Sequence, residues 1–264
     1  MFLNFIKFFI IILLYQTNSY SKSNSFINFN NNSFSNYFSG IVAYENKNNS
    51  DALNFFRSSK FLIKKHRPYL KRFINSLVLE NRIKKAINEV QQNKYNDNTD
   101  FFEAYLLLTI DSIKKNNFKD ASDYILKASK FNYQGTFNSL IADMLKEYIY
   151  VFDNKKIIKN KKNVGDFSLI TEIFQRCYLS DEKTDFYFLK LLNISKDVDY
   201  SRYLFFYLNY LVEQKRFGEI QNLVNDVDFV SSTLLLSQGK EWIKKNKINE
   251  FGKYFSCSNA NDVT

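Results

Sequence analysis

Three alanines, Ala52, Ala86 and Ala121, stand 34 and 35 residues apart, each one turn into a stretch whose apolar residues recur every three or four positions. A repeat of that length restricts the fold severely. Such a unit is a single helical hairpin, too small to bury its own apolar face, so successive units must stack. The open question is then which surface the stack presents, and to what.

The first unit runs Asn36–Tyr44, a polar turn at Lys47–Asp51, then Ala52–Phe56. The third runs Tyr105–Ile113, a turn at Lys115–Asp120, then Ala121–Ala128. Small residues belong where two helix backbones approach closely. Gly40 and Ala43 meet that need in the first helix, and Ala52, Phe56 and Ser59 give a small, large, small series in the second. Ala121, Ile125 and Ala128 repeat the series. The turns carry Asn48–Asn49, Asn81 and Asn116–Asn117, and Asn is the residue after Gly best able to enter the left-handed region at a helix end. In the second unit Ala86 and Val90 are in register, Asn93 replaces the last small residue, and Pro68, the only proline, opens its first helix.

These positions over residues 34–131 resemble the tetratricopeptide repeat family, with Asn in place of the family's turn glycine and without its unit-ending proline. Phe118 also sits where that family often has an aromatic residue. The resemblance implies an all-α fold, an α-solenoid of antiparallel helical hairpins. It implies a concave surface, built by the first helix of each hairpin, that takes an extended protein segment. In this register that surface holds Tyr37, Ile41 and Tyr44, then Lys71, Asn75 and Val78, then Leu106, Ile110 and Ile113. Lys71 and Asn75 match one pair of the carboxylate clamp of chaperone-binding members. Tyr37 and Ile41 in the first unit and Glu103 in the third break that motif, leaving an apolar, tyrosine-lined groove as the expectation.

Beyond residue 132 the alanine period stops, although helical spacing continues to Phe255. Tyr200–Gln214 with Phe217–Val224, and Phe229–Lys245 with Ile248–Phe255, look like further hairpins around Lys215–Arg216 and Asn246–Lys247. Residues 132–264 are therefore expected to continue the solenoid as divergent hairpins, with a separate helical domain as the other reading. The stretch Leu234–Val263 also resembles part of longer alphaproteobacterial proteins of the same family, so the chain is expected to be a piece of a longer one.

Residues 1–21 have the layout of a secretory signal peptide: Lys7, an apolar core at Phe8–Tyr15, and Ser19 and Ser21 at the cleavage positions before Lys22. The apolar run is short of the ~20 residues that span a bilayer. Export to the periplasm is expected, an uncleaved anchor being the other reading. Residues 22–33, rich in Ser and Asn, read as a tether.

The formal charge is +10, and Lys7 is the only charged side chain of the leader, so the mature chain keeps +9. Its basic clusters, such as Lys64–Arg67, Lys84–Lys85 and Lys155–Lys156, are scattered instead of lining one groove, which argues against nucleic acid as the partner. Aromatics at 18% with six Gly and one Pro point to the codon bias of an AT-rich genome, so the lysines are weak evidence of purpose. Peripheral contact with an anionic membrane or cell wall is the use that suits such charge.

Catalytic signatures are sparse. His66 is the only histidine, no glycine-rich loop follows a strand, and carboxylates such as Asp181–Glu182, Asp197 and Asp199 sit where helix N-capping is their expected work. No cofactor or metal is expected. Cys177 and Cys257 are 80 residues apart and are expected as buried free thiols, because distant units of a solenoid do not touch. The leading expectation is a protein-binding adaptor of the cell envelope, not an enzyme. The alternative is an envelope carbohydrate-active enzyme with paired carboxylates on a helical scaffold, and a cytosolic nucleic-acid binder stands third.

Overall fold

The computed structural model describes residues 31–94, 99–131, 136–159, 163–194, 201–226, 234–253 and 255–257. The leader and residues 22–30 of the tether lie outside them. Among the described residues the chain is all-α, with twelve α-helices, short 3-10 turns and no strand. None of the described helices is long and apolar enough to cross a membrane. The chain divides into two compact units, Met1–Asn81 and Arg82–Thr264.

In the first unit, α1 (Asn31–Glu45) packs on α2 (Asn49–Ser58), and α2 on α3 (Arg67–Leu79) across a 3-10 turn at Lys60–Lys64. Helix α1 begins inside the expected tether, because Ser33 is already on a buried face. The second unit holds α4 (Ile83–Gln92), α5 (Phe102–Lys114), α6 (Phe118–Ala128) and α7 (Phe137–Asn154). It continues with α8 (Asp166–Tyr178), α9 (Thr184–Ile194), α10 (Ser201–Glu213), α11 (Phe217–Asp226), α12 (Leu234–Lys244) and a 3-10 turn, Ile248–Lys253. The expected second repeat is divided by the unit boundary, with α3 in the first unit and α4 in the second.

One turn recurs between successive elements. Lys47, Asn81, Asn116, Ser180, Lys215 and Asn246 all take left-handed backbone, with φ between 52° and 60°. At five of these turns the next residue donates its N–H to the carbonyl five positions back. The pairs are Asn48 to Ala43, Asn117 to Ser112, Asp181 to Arg176, Arg216 to Leu211 and Lys247 to Trp242, at 2.7–3.0 Å. The left-handed residue itself donates three back, as Lys47 does to Tyr44 and Lys215 to Val212. This is the Schellman closure, which satisfies the orphan carbonyls of one helix while aiming the chain into the next. In the first turn the left-handed residue is Lys47, one position before the expected Asn48–Asn49. Asn48 instead caps α2, its side chain accepting from the Asp51 N–H, as Asn117 does for Asp120 in α6.

The same turn recurs beyond residue 132, after a gap of 64 residues. Left-handed residues are spaced by 34 and 35 up to Asn116, then by 35 and 31 from Ser180 to Asn246. The interval between holds the longer α7 and the connection to α8. Seven residues before each turn the chain is buried: Gly40, Ile74, Thr109, Ile173, Leu208 and Gly239. Five residues after it stand Ala52, Ala86 and Ala121, and in the later turns Asp185, Ile220 and Phe251. The small residue is lost there, but the position is kept. Asp185 is held by Arg216 through two hydrogen bonds, 3.0 and 3.2 Å, and accepts the Tyr207 hydroxyl at 2.6 Å.

Close helix approach leaves a specific mark. A methyl group added at Gly40 would lie 2.8 Å from the Phe56 ring, and one at Gly239 would lie 2.7 Å from the Phe251 ring. Both phenylalanines are fully buried, so glycine in a helix makes the slot that an aromatic ring of the following element fills.

Candidate functional site

The nine residues expected to line a concave groove are on α1, α3 and α5. Tyr37 is 2% exposed and belongs to the core of the first unit. Its hydroxyl accepts from Arg72 Nη1 at 2.6 Å and lies 3.0 Å from His66 Nε2. Arg72 and His66 come from α3 and its N-cap, so this trio ties α1 to α3. Tyr37 is therefore a packing residue, displaced from the expected groove by partners that spacing along α1 cannot reveal. Ile41, Tyr44, Asn75 and Val78 are half-buried, and Lys71 is exposed. On α5, Leu106 and Ile113 pack against the core of α5–α7, while Ile110 is 43% exposed.

Burial pushes the Tyr37 phenol up and the His66 imidazole down, with Arg72 adding to the second effect and opposing the first. A lowered imidazole means that the unfolded chain takes up its proton first. The His66 contribution to stability is then complete above the ordinary value near 6.5 and is lost as pH falls through the folded value. As His66 is the only histidine, its ring resonance can be followed alone by NMR. The expected midpoint lies below that of a denatured control, and a midpoint at or above the control contradicts the arrangement.

The same positions in later hairpins can be named by counting back three, six and ten residues from each left-handed turn. They are Ile170, Phe174 and Cys177 on α8, and Phe205, Asn209 and Val212 on α10. A non-helical strap, Phe255–Cys257, meets Phe174 and Cys177 of this set, and on α10 it meets Phe206 and Glu213, each next to a counted position. The Phe255 ring meets Phe174 and Phe206 edge-on, with centroids 5.8 and 5.1 Å away. Glu213 on α10 accepts the Cys257 N–H at 2.9 Å and the Ser256 hydroxyl at 3.0 Å. Cys257 is disulfide-bonded to Cys177, with Cα atoms 4.9 Å apart. This overturns the expectation of free thiols. The two cysteines meet because the chain, after the 3-10 turn packed on α10, doubles back onto α8. Cys177 stands three residues before Ser180, at the C-terminal end of α8.

Two cavities lie in the second unit. One, about 1160 Å³, is lined by Lys155, Lys156 and Lys159 opposite Arg176 and Tyr187. Burial works against the Arg176 charge, but its ion pairs with Glu172 (2.6 Å) and Asp181 (2.9 Å) prevail and hold its pKa above the ordinary value. The other, about 330 Å³, lies beside α5 between Val90, Tyr105 and Tyr124. Burial, reinforced by the hydrogen bond to Asp100, pushes the Tyr105 phenol up to about 12. Asp181 also accepts the Lys183 N–H at 2.9 Å, an Asx turn that leads into α9 at Thr184. Asp197 and Asp199 lie outside the described residues. Among the described residues no group of three or more His, Cys, Asp or Glu side chains is placed to hold a metal ion. No protein-family model matches the chain, and neither a curated protein nor a solved structure matches it.

Proposed function

We propose that the chain is a tetratricopeptide-like solenoid scaffold of the cell envelope, holding a partner protein through an extended segment laid on the inner faces of its first helices. The observation that carries this reading is the strap. Residues of the chain itself, in non-helical conformation, meet the counted positions Phe174 and Cys177 of α8 and the neighbouring Phe206 and Glu213 of α10, by an aromatic anchor and a backbone hydrogen bond. Those are the two contact types by which helical grooves take peptides. Ile110, exposed at the equivalent position of α5, is where a segment from another chain has room to dock. Two features support export: the leader-like residues 1–21, and a disulfide, which persists in oxidising compartments. The basic surface suits peripheral contact with an anionic membrane or wall, and no nucleic acid is invoked.

Affinity capture with the mature chain and its Ile110→Arg variant tests the reading. A co-purifying protein is expected with the parent and at least tenfold less with the variant, while thermal midpoints agree within a degree or two. Equal capture by both, or capture of nothing, sinks it. Finding the mature N-terminus at Lys22 in an envelope fraction checks the compartment, and full-length chain in the cytosol refutes it.

A further inference from the structure

We infer that the surface of α8 and α10 made by Phe174, Cys177, Phe206 and Glu213 is a peptide-binding site closed in this protein by a covalently tethered ligand of its own, the strap Phe255–Cys257. The inference rests on the scaffold reading above and deepens it by naming a site and the chemistry it takes.

The strap contacts are those of a bound segment, not of a packed helix. Phe255 fills an aromatic slot whose walls, Phe174 and Phe206, come from two different helices. Their rings also stack edge-on with each other at 5.2 Å, so the slot has shape without Phe255. Two residues on, Glu213 presents a carboxylate to a backbone N–H, which any extended chain other than one with proline there can supply. The spacing defines the ligand: an extended peptide with an aromatic residue, a small hydroxyl residue, and a free N–H at the third position. Selectivity for sequence resides in the first of these and register in the last.

The strap is part of the chain, so its occupancy is intramolecular, and the disulfide fixes it in place; a free peptide of the same chemistry competes against an effective concentration it cannot match. Thiol–disulfide exchange with a dithiol opens the site. The Sγ–Sγ bond breaks, each cysteine takes one hydrogen, and the dithiol closes to its own cyclic disulfide. Cys177 and Cys257 are 1% and 6% exposed, so exchange requires local opening, and the closed form is the resting one in an oxidising compartment.

The test uses a fluorescein-labelled peptide of residues 249–258 with serine in place of Cys257, read by anisotropy against the full chain. Oxidised parent protein is expected not to bind. The doubly substituted chain, Phe255→Ala with Cys257→Ser, is expected to bind at least tenfold more tightly than the parent, and to lose this when the peptide's own phenylalanine is alanine. Equal binding to parent and variant, or no binding to a variant with native circular dichroism, overturns the proposal. If the double variant unfolds, Phe255→Ala with the bond intact carries the test. N-acetylphenylalanine amide is then expected to shift the NMR signals of Phe174 and Phe206 in that variant and not in the parent, and an absence of shifts overturns the proposal. Capture through α5 is a separate readout: its loss in Ile110→Arg with a silent strap peptide refutes this inference alone, and the converse refutes the scaffold reading at α5 alone.

Discussion

Substituting Cys257 by alanine is expected to lower the thermal midpoint of the second unit by about 10 °C or more. Joining residues 80 apart removes loop-closure entropy from the unfolded chain, worth about 4–5 kcal/mol for a loop of that length. In a domain of this size each kcal/mol moves the midpoint by about 2–4 °C. The strap contacts add to the loss, since the Glu213 carboxylate gives up the Cys257 N–H that it accepts. Calorimetry of oxidised parent, Cys257→Ala and Cys177→Ala is the measurement. The two variants are expected to agree with each other and with parent protein reduced under denaturant and refolded. Two free thiols in the untreated protein, or a midpoint unmoved by either substitution, contradicts the bond.

How much of this was legible beforehand depends on the range of the contacts concerned. Helix pairs were legible because hydrophobic spacing and turn residues are local. Asn81 and Asn116 are left-handed as their chemistry foretells, and the hairpin around Lys215–Arg216 falls within a few residues of its expected bounds. Lys47, Ser180 and Lys215 enter the same conformation without any residue-type signal. The closure bonds of the turn are backbone bonds, and they tolerate a side chain that costs about 1–2 kcal/mol there. That is why a period read from alanines stops at Ala121 while the turn continues to Asn246. The site was less legible than the fold. Tyr37 has the spacing of a groove residue, but Arg72, 35 residues away, makes it a core one. The strap depends on contacts 43 to 80 residues apart, between Ser256, Cys257 and their partners, and no local pattern encodes them. A register anchored on the left-handed turns would have placed Cys177 on an inner face, though not opposite Cys257.

The largest effect expected in the first unit is at Phe56, where alanine should cost about 3–5 kcal/mol in urea unfolding, as for other fully buried rings. The ring lies against Tyr37 and Tyr69 and fills the slot left by Gly40. A sharper prediction follows from that slot. Alanine at Gly40 favours the helix by about 1 kcal/mol, yet its methyl group would stand 2.8 Å from a ring with no room to retreat, an overpacking cost of about 1–3 kcal/mol. Gly40→Ala alone is therefore expected to destabilise or at best break even. In the Phe56→Ala background the clash is gone and the helix preference remains, so the same substitution is expected to stabilise by about 1 kcal/mol. The coupling between the two sites is then about 1–3 kcal/mol, beyond the few tenths seen between independent sites. The sign change separates two accounts of the glycine. If Gly40 serves close helix approach, its replacement is tolerated only when the ring has been removed. If α1 and α2 can spread apart without cost, Gly40→Ala has one sign in both backgrounds, and the steric role assigned to the small positions of this repeat fails with it.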